Sequence, residues 1–268
     1  MAETATKNPP RNLNAGSQLG TLIATQVRLL VTARKTIALF IVQMIPVLAA
    51  FVYVLFESVD GLTMFSSVVE NVTIPFLMPL AAIFFGGPAI VEEMEGRTLT
   101  YLTLRPIGKG TLFMGKALSG ILIAVPIVVL PLLTLFAICL SQSDEWGMAA
   151  ETLGPILGAV ALGTTAYTAV FAALGAAFAS GLLASIIYFV VFEMVLGALP
   201  VLEMSSVRFH VRTTAGLEAT DRLGVLEKLV LDEPIVLEWW VGVIILSVLV
   251  VGGLGLGAWI FRERQYYV

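Results

Sequence analysis

Glu193 is the first place to look for chemistry. It stands as a lone charge within a long apolar run, FVVFEMVL. A charged side chain at the centre of a bilayer costs roughly 2.5–3.5 kcal/mol on insertion scales, so such a carboxyl must face other helices and find a partner there. Gln43, Thr164, Thr165, Tyr167 and Thr168 are the polar residues inside other apolar runs that could supply one. Two uses fit the chemistry. Glu193 is either a polar contact or protonatable gate on a substrate path, or a hydrogen-bonded structural group that orders the helices.

Most other site chemistry is excluded. Residues 110–116 read GTLFMGK and imitate the phosphate-binding loop G-x-x-x-x-G-K-[ST]. Ala117 stands where the hydroxyl that holds Mg²⁺ is required, no strand precedes the stretch, and an apolar run follows it. His210 is the sole histidine and Cys139 the sole cysteine, so a multi-histidine metal site, a disulfide within the chain and a cysteine metal site are all ruled out. Ser180-Gly181 has no histidine inside an apolar run to activate a serine nucleophile. Asn71-Val72-Thr73 has the form of a glycosylation sequon but abuts an apolar run.

The elements around Glu193 are those of a membrane protein. The chain is 58% hydrophobic and 13% charged, with mean hydropathy +0.96. A soluble domain is about half apolar and a quarter charged. A net charge of −4 leaves no basic footprint for nucleic acid. Crossing the hydrocarbon takes about 20 apolar residues as a helix. Six runs meet that need, at about 36–56, 72–91, 117–140, 153–179, 182–201 and 239–261. The expected fold is an all-α integral membrane domain over 36–261, with the fourth and fifth spans parted at Ser180-Gly181.

Lys and Arg set the orientation. Lys7, Arg11, Arg28, Arg34 and Lys35 precede span one; Arg97, Arg105, Lys109 and Lys116 lie between spans two and three; Arg262 and Arg264 follow span six. The loops at 57–71 and 141–152 hold no Lys or Arg, only Glu57, Asp60, Glu70, Asp144, Glu145 and Glu151. Both termini and the 92–116 connector are therefore expected in the cytoplasm. Residues 1–17 read as a flexible tail with no cleavable signal, and 262–268 as a second tail. Residues 18–35 place Leu19, Leu22, Ile23, Gln26, Val27 and Leu30 near one helical face, which suits an amphipathic helix on the cytoplasmic leaflet. The outer loop 202–238 is long, and Leu217, Leu223, Leu226, Leu229 and Val230 suggest a short amphipathic helix within it. Gly154/Gly158, Ala159/Gly163 and Gly253/Gly257 have the four-residue spacing of close helix packing. Pro75, Pro79 and Pro88 in span two, and Pro126 and Pro131 in span three, free backbone carbonyls and favour kinks.

The connector EEMEGRTLTYLTLRPIGKGTLFMGK, residues 92–116, is a polar island between two apolar runs. Met94, Leu99, Tyr101, Leu102 and Leu104 give it an apolar side, and Glu92, Glu93, Glu95, Arg97 and Arg105 give it charge. Pro106 then stops a helix, and Gly108-Lys109-Gly110 forms a flexible turn into span three. This stretch resembles the cytoplasmic connector of type-2, exporter-class ABC transporter permeases. The resemblance rests on Glu92, Glu93, Glu95, Gly96, Thr98-Leu99, Tyr101-Leu102, Arg105-Pro106-Ile107, Lys109 and Gly115-Lys116. It departs in two places: Arg97 separates Gly96 from Thr98, and Lys109 stands where Arg is commoner.

The resemblance implies a coupling helix that docks in a separate cytoplasmic ATPase through Glu92, Glu93, Glu95, Gly96, Arg97, Thr98, Leu99, Tyr101, Leu102, Arg105 and Pro106. It implies that ATP and Mg²⁺ bind in that partner, with no cofactor in this chain and no enzymatic activity of its own. It further implies pairing with a second copy or a sibling permease, a bacterial inner-membrane location, and a path for export along spans one, two and five. Two readings compete with it: an ion-coupled carrier that uses Glu193, and a non-transporting membrane scaffold.

Overall fold

The computed structural model describes residues 15–56, 60–88, 108–141, 146–199, 202–217 and 237–263. Among these the chain is helical and has no strand. In order, the helices are α1 (Ala15–Val31), α2 (Arg34–Phe56), α3 (Gly61–Phe85), α4 (Lys109–Leu140), α5 (Trp146–Ala177), α6 (Gly181–Ala198), α7 (Val207–Ala215) and α8 (Trp239–Glu263). Six of them, all but α1 and α7, are long and apolar enough to cross a membrane. That matches the six apolar runs of the sequence.

Three spans start well before their apolar runs: α5 begins at Trp146 where 153 was expected, and the second and third spans have visible reasons. The second was expected from residue 72, after polar Glu70-Asn71, but α3 begins at Gly61. Asp60 caps it by accepting from the backbone N–H of Leu62 and Thr63, and the Thr63 hydroxyl holds its carboxyl below the ordinary value. Glu70 and Asn71 are tolerated inside the helix because each has a partner: Arg212 for the first, the Ser67 carbonyl for the second. The third span was expected from 117 after a flexible turn at Gly108-Lys109-Gly110. Instead Gly108 occupies the N-cap position and α4 runs on from Lys109 without a break. Its first four N–H groups would be unbonded wherever it began, so two glycines near the start cost it little.

Two spans are not plain α-helix. Val69–Leu77 in α3 and Phe189–Val195 in α6 are π-helical, and α6 tightens to 3₁₀ over Leu196–Ala198. Pro75 lies in the first of these segments. It has no N–H to donate, so the regular ladder is already interrupted there and the wider turn costs less.

The core is formed largely by α3, α4 and α5, with buried Phe65, Ile74, Met78, Val128, Leu135, Tyr167 and Phe171. Close packing depends on glycine where helices cross. A Cβ on Gly253 of α8 would lie 2.9 Å from the Ala169 backbone of α5, and one on Gly163 would lie 2.3 Å from Val211 of α7. Gly154 and Gly158, which have the same spacing in the sequence, have nothing within 4 Å among the described residues. Trp239 and Trp240 at one end of α8 and Trp259 near the other are at least half exposed. At the α-helical rise Trp239 and Trp259 stand about 30 Å apart, the thickness of the hydrocarbon.

The leading helix differs from expectation. It spans Ala15–Val31 where 18–35 was expected, and α2 starts anew at Arg34. The face carrying Leu19 and Leu22 rests on the start of α4, where a Cβ on Gly115 would lie 2.1 Å from Leu22 Cδ2. Leu29 and Val31 remain exposed. The helix is therefore docked on protein along one side.

Candidate functional site

The coupling residues named from the sequence, Glu92 to Pro106, lie outside the described residues, as does most of the loop expected to hold an amphipathic helix, 218–236. The structure does describe the elements flanking the connector. At that end of the bundle α3 finishes against the α5–α6 hairpin in a knot of glycines. A Cβ on Gly175 would lie 2.3 Å from the Gly87 carbonyl oxygen, and one on Gly181 would lie 2.2 Å from the same atom. A Cβ on Gly86 would likewise lie 2.7 Å from the Thr168 carbonyl oxygen. Backbone touches backbone here, which only glycine permits.

Glu193 sits in the π segment of α6 and is 3% exposed. Four of the five partners suggested by the sequence are otherwise engaged. Gln43 donates to the Leu77 carbonyl at 2.8 Å, and the hydroxyls of Thr164, Thr165 and Thr168 donate to carbonyls of their own helix. The carboxylate instead accepts from the backbone N–H of Val207 at 2.8 Å and of Arg208 at 3.2 Å. These are the first two N–H groups of α7. Ser206 caps the third by accepting from Phe209 N–H at 3.1 Å. Three of the four free donors at this helix start are thus satisfied, and the negative charge faces the positive end of the helix dipole. The Tyr167 hydroxyl is fully buried and faces the Glu193 carboxylate, interacting with it through a contact longer than the two backbone hydrogen bonds.

The α7 helix organises the rest of the site. Arg208 donates to the Gly197 carbonyl at 2.7 Å. Arg212 bridges Glu70 of α3 at 2.6 Å and Glu203 at 3.4 Å. Val207, His210, Val211 and Ala215 are buried against the bundle, and Gly242 of α8 leaves room for the His210 carbonyl and the Thr214 hydroxyl. Gly216 ends the helix in the left-handed conformation, φ 68°. The α7 helix is thus fixed to α3, α5, α6 and α8 together.

Sequence reasoning did not find α7. Its signal was present as a serine N-cap, nine residues and a glycine stop, S-VRFHVRTTA-G, but so polar a stretch does not look like something that packs into a membrane domain. The link between Glu193 and residues 207–208 depends on the chain doubling back, which has no local signature.

His210 donates from Nε2 to the Met204 carbonyl at 2.9 Å, while its buried Nδ1 has no partner. Burial lowers its pKa below the ordinary 6.5, against a smaller raising effect of the Met204 hydrogen bond. The sign follows from linkage: the stability it contributes as a neutral ring is complete above that ordinary value and is lost as pH falls through the lowered one. Between pH 7 and 5 the apparent melting temperature of the wild-type chain should drop more steeply than that of His210→Gln. Parallel thermal unfolding in detergent at the two pH values measures this.

Lipid-spanning helices bonded by a short inserted helix define a multi-pass membrane protein of helical-bundle type. The comparisons make this specific: the ABC-2 family transporter protein family matches over residues 60–265, and the chain belongs to it as a permease-type membrane protein. Over 50 residues it is 48% identical to the "Probable ABC transporter permease protein NosY" of Pseudomonas aeruginosa, covering 18% of each chain. Over 55 residues it is 40% identical to the protein of the same name from Stutzerimonas stutzeri, covering 20% of each. These alignments thus span about a fifth of the length of those relatives.

Proposed function

We propose that the chain is the membrane-spanning permease subunit of an ABC transporter, forming the substrate path and driven by a separate cytoplasmic ATPase that docks on residues 92–107. The family match over residues 60–265 carries this reading. The named relatives are permeases of the same kind, which supports it. ATP and Mg²⁺ belong to the partner chain. The distribution of Lys and Arg supports cytoplasmic termini and connector, in a bacterial inner membrane. Transport is outward, through a seam formed with a second copy or a sibling permease.

The charged rim and apolar knobs of the connector suit docking, with Leu99, Tyr101 and Leu102 as the anchors. The glycine knot at Gly87, Gly175 and Gly181 lies where the connector leaves α3, so that motion there passes to the α5–α6 hairpin through stiff backbone contacts. The α7 contacts disfavour the ion-coupled carrier, because the Glu193 carboxylate is already occupied by two N–H groups.

Affinity purification with the ATPase encoded beside its gene tests the reading. Wild type should retain the ATPase, and Glu95→Arg/Leu99→Asp/Leu102→Asp should lose most of it while eluting as the same folded species. Failure of wild type to retain the ATPase would remove this reading and bring the ion-coupled carrier or the scaffold to the front.

A further inference from the structure

The first two helices carry positive charge only. Between Glu3 and Glu57 the chain has no Asp or Glu, although it is acidic as a whole, with a net charge of −4. Within α1 and α2 the cations are Arg28, Arg34 and Lys35, and they collect at the elbow between the two helices. Arg28 lies in the last turn of α1, and Arg34 opens α2. Both arginines are exposed, and neither forms an ion pair with an acidic residue among the described residues. Arg34 also stands at the positive end of the α2 dipole, where a cation is disfavoured and an anion is welcome.

The elbow is held in one shape. Ala33 N–H donates to the Leu30 carbonyl at 3.1 Å, and the N–H groups of Thr36 and Ile37 donate to the Ala33 carbonyl. The buried Thr36 hydroxyl also donates to the Leu30 carbonyl, and the Thr32 hydroxyl to the Arg28 carbonyl. Helices joined this tightly fix where both arginine stems start, so little backbone order has to be imposed when an anion binds.

Apolar surface runs on from the elbow. Leu29 and Val31 of α1 and Ile37, Ile41, Ile45 and Leu48 of α2 are 53–64% exposed. The buried side of α2 carries Thr36, Leu39, Gln43, Val47 and Ala50. At about 3.6 residues per turn Arg34 falls on the opposite side, in line with Ile37, Ile41 and Ile45. From Arg34 to Ile45 the helix rises about 16 Å, close to the depth of one leaflet's hydrocarbon. A cationic head above an apolar stripe of that depth matches the two ends of an anionic phospholipid.

We propose that the α1–α2 elbow binds an anionic phospholipid, with its phosphate between Arg28 and Arg34 and an acyl chain along Ile37, Ile41 and Ile45. A zwitterionic lipid offers the same tails and phosphate but adds a cation that the arginines repel, so the elbow selects headgroups of net negative charge. Placement in the inner leaflet rests on the orientation proposed above, whereas the binding does not.

Native mass spectrometry of the full chain in nonionic detergent, with dioleoylphosphatidylglycerol titrated in, tests the site. Wild type should retain one such lipid at concentrations where dioleoylphosphatidylcholine is stripped away. Each basic residue at a lipid surface is worth roughly fivefold in affinity, so Arg28→Gln/Arg34→Gln should bind the anionic lipid about thirtyfold more weakly. Arg28→Lys/Arg34→Lys should keep most of the binding, which separates lost charge from lost fold. Arg262→Gln removes an exposed cation from the end of α8 and should bind as wild type does.

Equal retention of the two lipids, an unchanged titration of the glutamine variant, or an equal loss with Arg262→Gln overturns the site. Displacement of the bound lipid by excess inorganic phosphate would mean that free phosphate is the ligand, and would overturn the lipid as well. The assay uses no ATPase, so its outcome is independent of the permease reading.

Discussion

Gly175→Ala should destabilise the protein far more than Gly115→Ala, although each adds one methyl to a glycine in a transmembrane helix. At Gly175 the new Cβ would lie 2.3 Å from the Gly87 carbonyl oxygen and 3.5 Å from its Cα, so two backbones must separate. At Gly115 it would meet Leu22 Cδ2, the far end of a side chain that can rotate away. Overpacking against rigid structure costs about 1–3 kcal/mol and more where nothing yields, while an added alanine returns up to about 1 kcal/mol of helix propensity. Gly115→Ala should therefore fall near neutral. Gly175→Ala should lower the apparent melting temperature clearly, and Gly175→Leu should leave little monodisperse protein on size-exclusion chromatography. Equal behaviour of the two alanine variants would mean that the α3–α5 contact is looser than the structure has it. Gly158→Leu, with open space around it, serves as the tolerated control.

Glu193→Leu should produce the second large effect. Leucine fills a similar volume but accepts nothing, so the N–H groups of Val207 and Arg208 and the nearby guanidinium all lose the carboxylate. Hydrogen bonds to a charged group are worth about 1.5–3 kcal/mol each, and breaking a buried pair from one side costs about 3–5 kcal/mol. Glu193→Gln retains one accepting oxygen and should lose roughly half as much. The order wild type, glutamine, leucine in apparent melting temperature is the expected result. If leucine matched or exceeded wild type, Glu193 would not be holding α7.

Much of this architecture was legible in the sequence, for a simple reason. In a bilayer every backbone group must be satisfied within the helix, so length and hydropathy almost determine the spans. Those rules describe a helix in isolation, and they faltered where partners lie far apart in the chain. Glu70 looked like a loop residue because its partner Arg212 is 142 residues away. The π segments leave no mark in hydropathy. Glu193 was identified as a residue needing a partner, but the candidates considered were side chains; Tyr167 does stand beside it, whereas the shortest hydrogen bonds come from backbone N–H groups. The glycine spacing rule found Gly163, Gly253 and Gly257, which do meet neighbours, and also Gly154 and Gly158, which do not. Spacing shows where close approach is allowed, not whether another helix is there.

The seat of α1 on α4 has a consequence for how the protein is made. Gly115 follows Leu22 by 93 residues. At translation speeds of about 5–20 residues per second, the docking surface emerges roughly 5–20 s after the helix that needs it. Until then α1 carries an apolar face, including Leu19 and Leu22, with nothing of its own chain to cover it. The lipid surface is the available host for an amphipathic helix of this kind. Helix α1 thus waits on the membrane until α4 has been made, and an arrest of synthesis before α4 would leave it there.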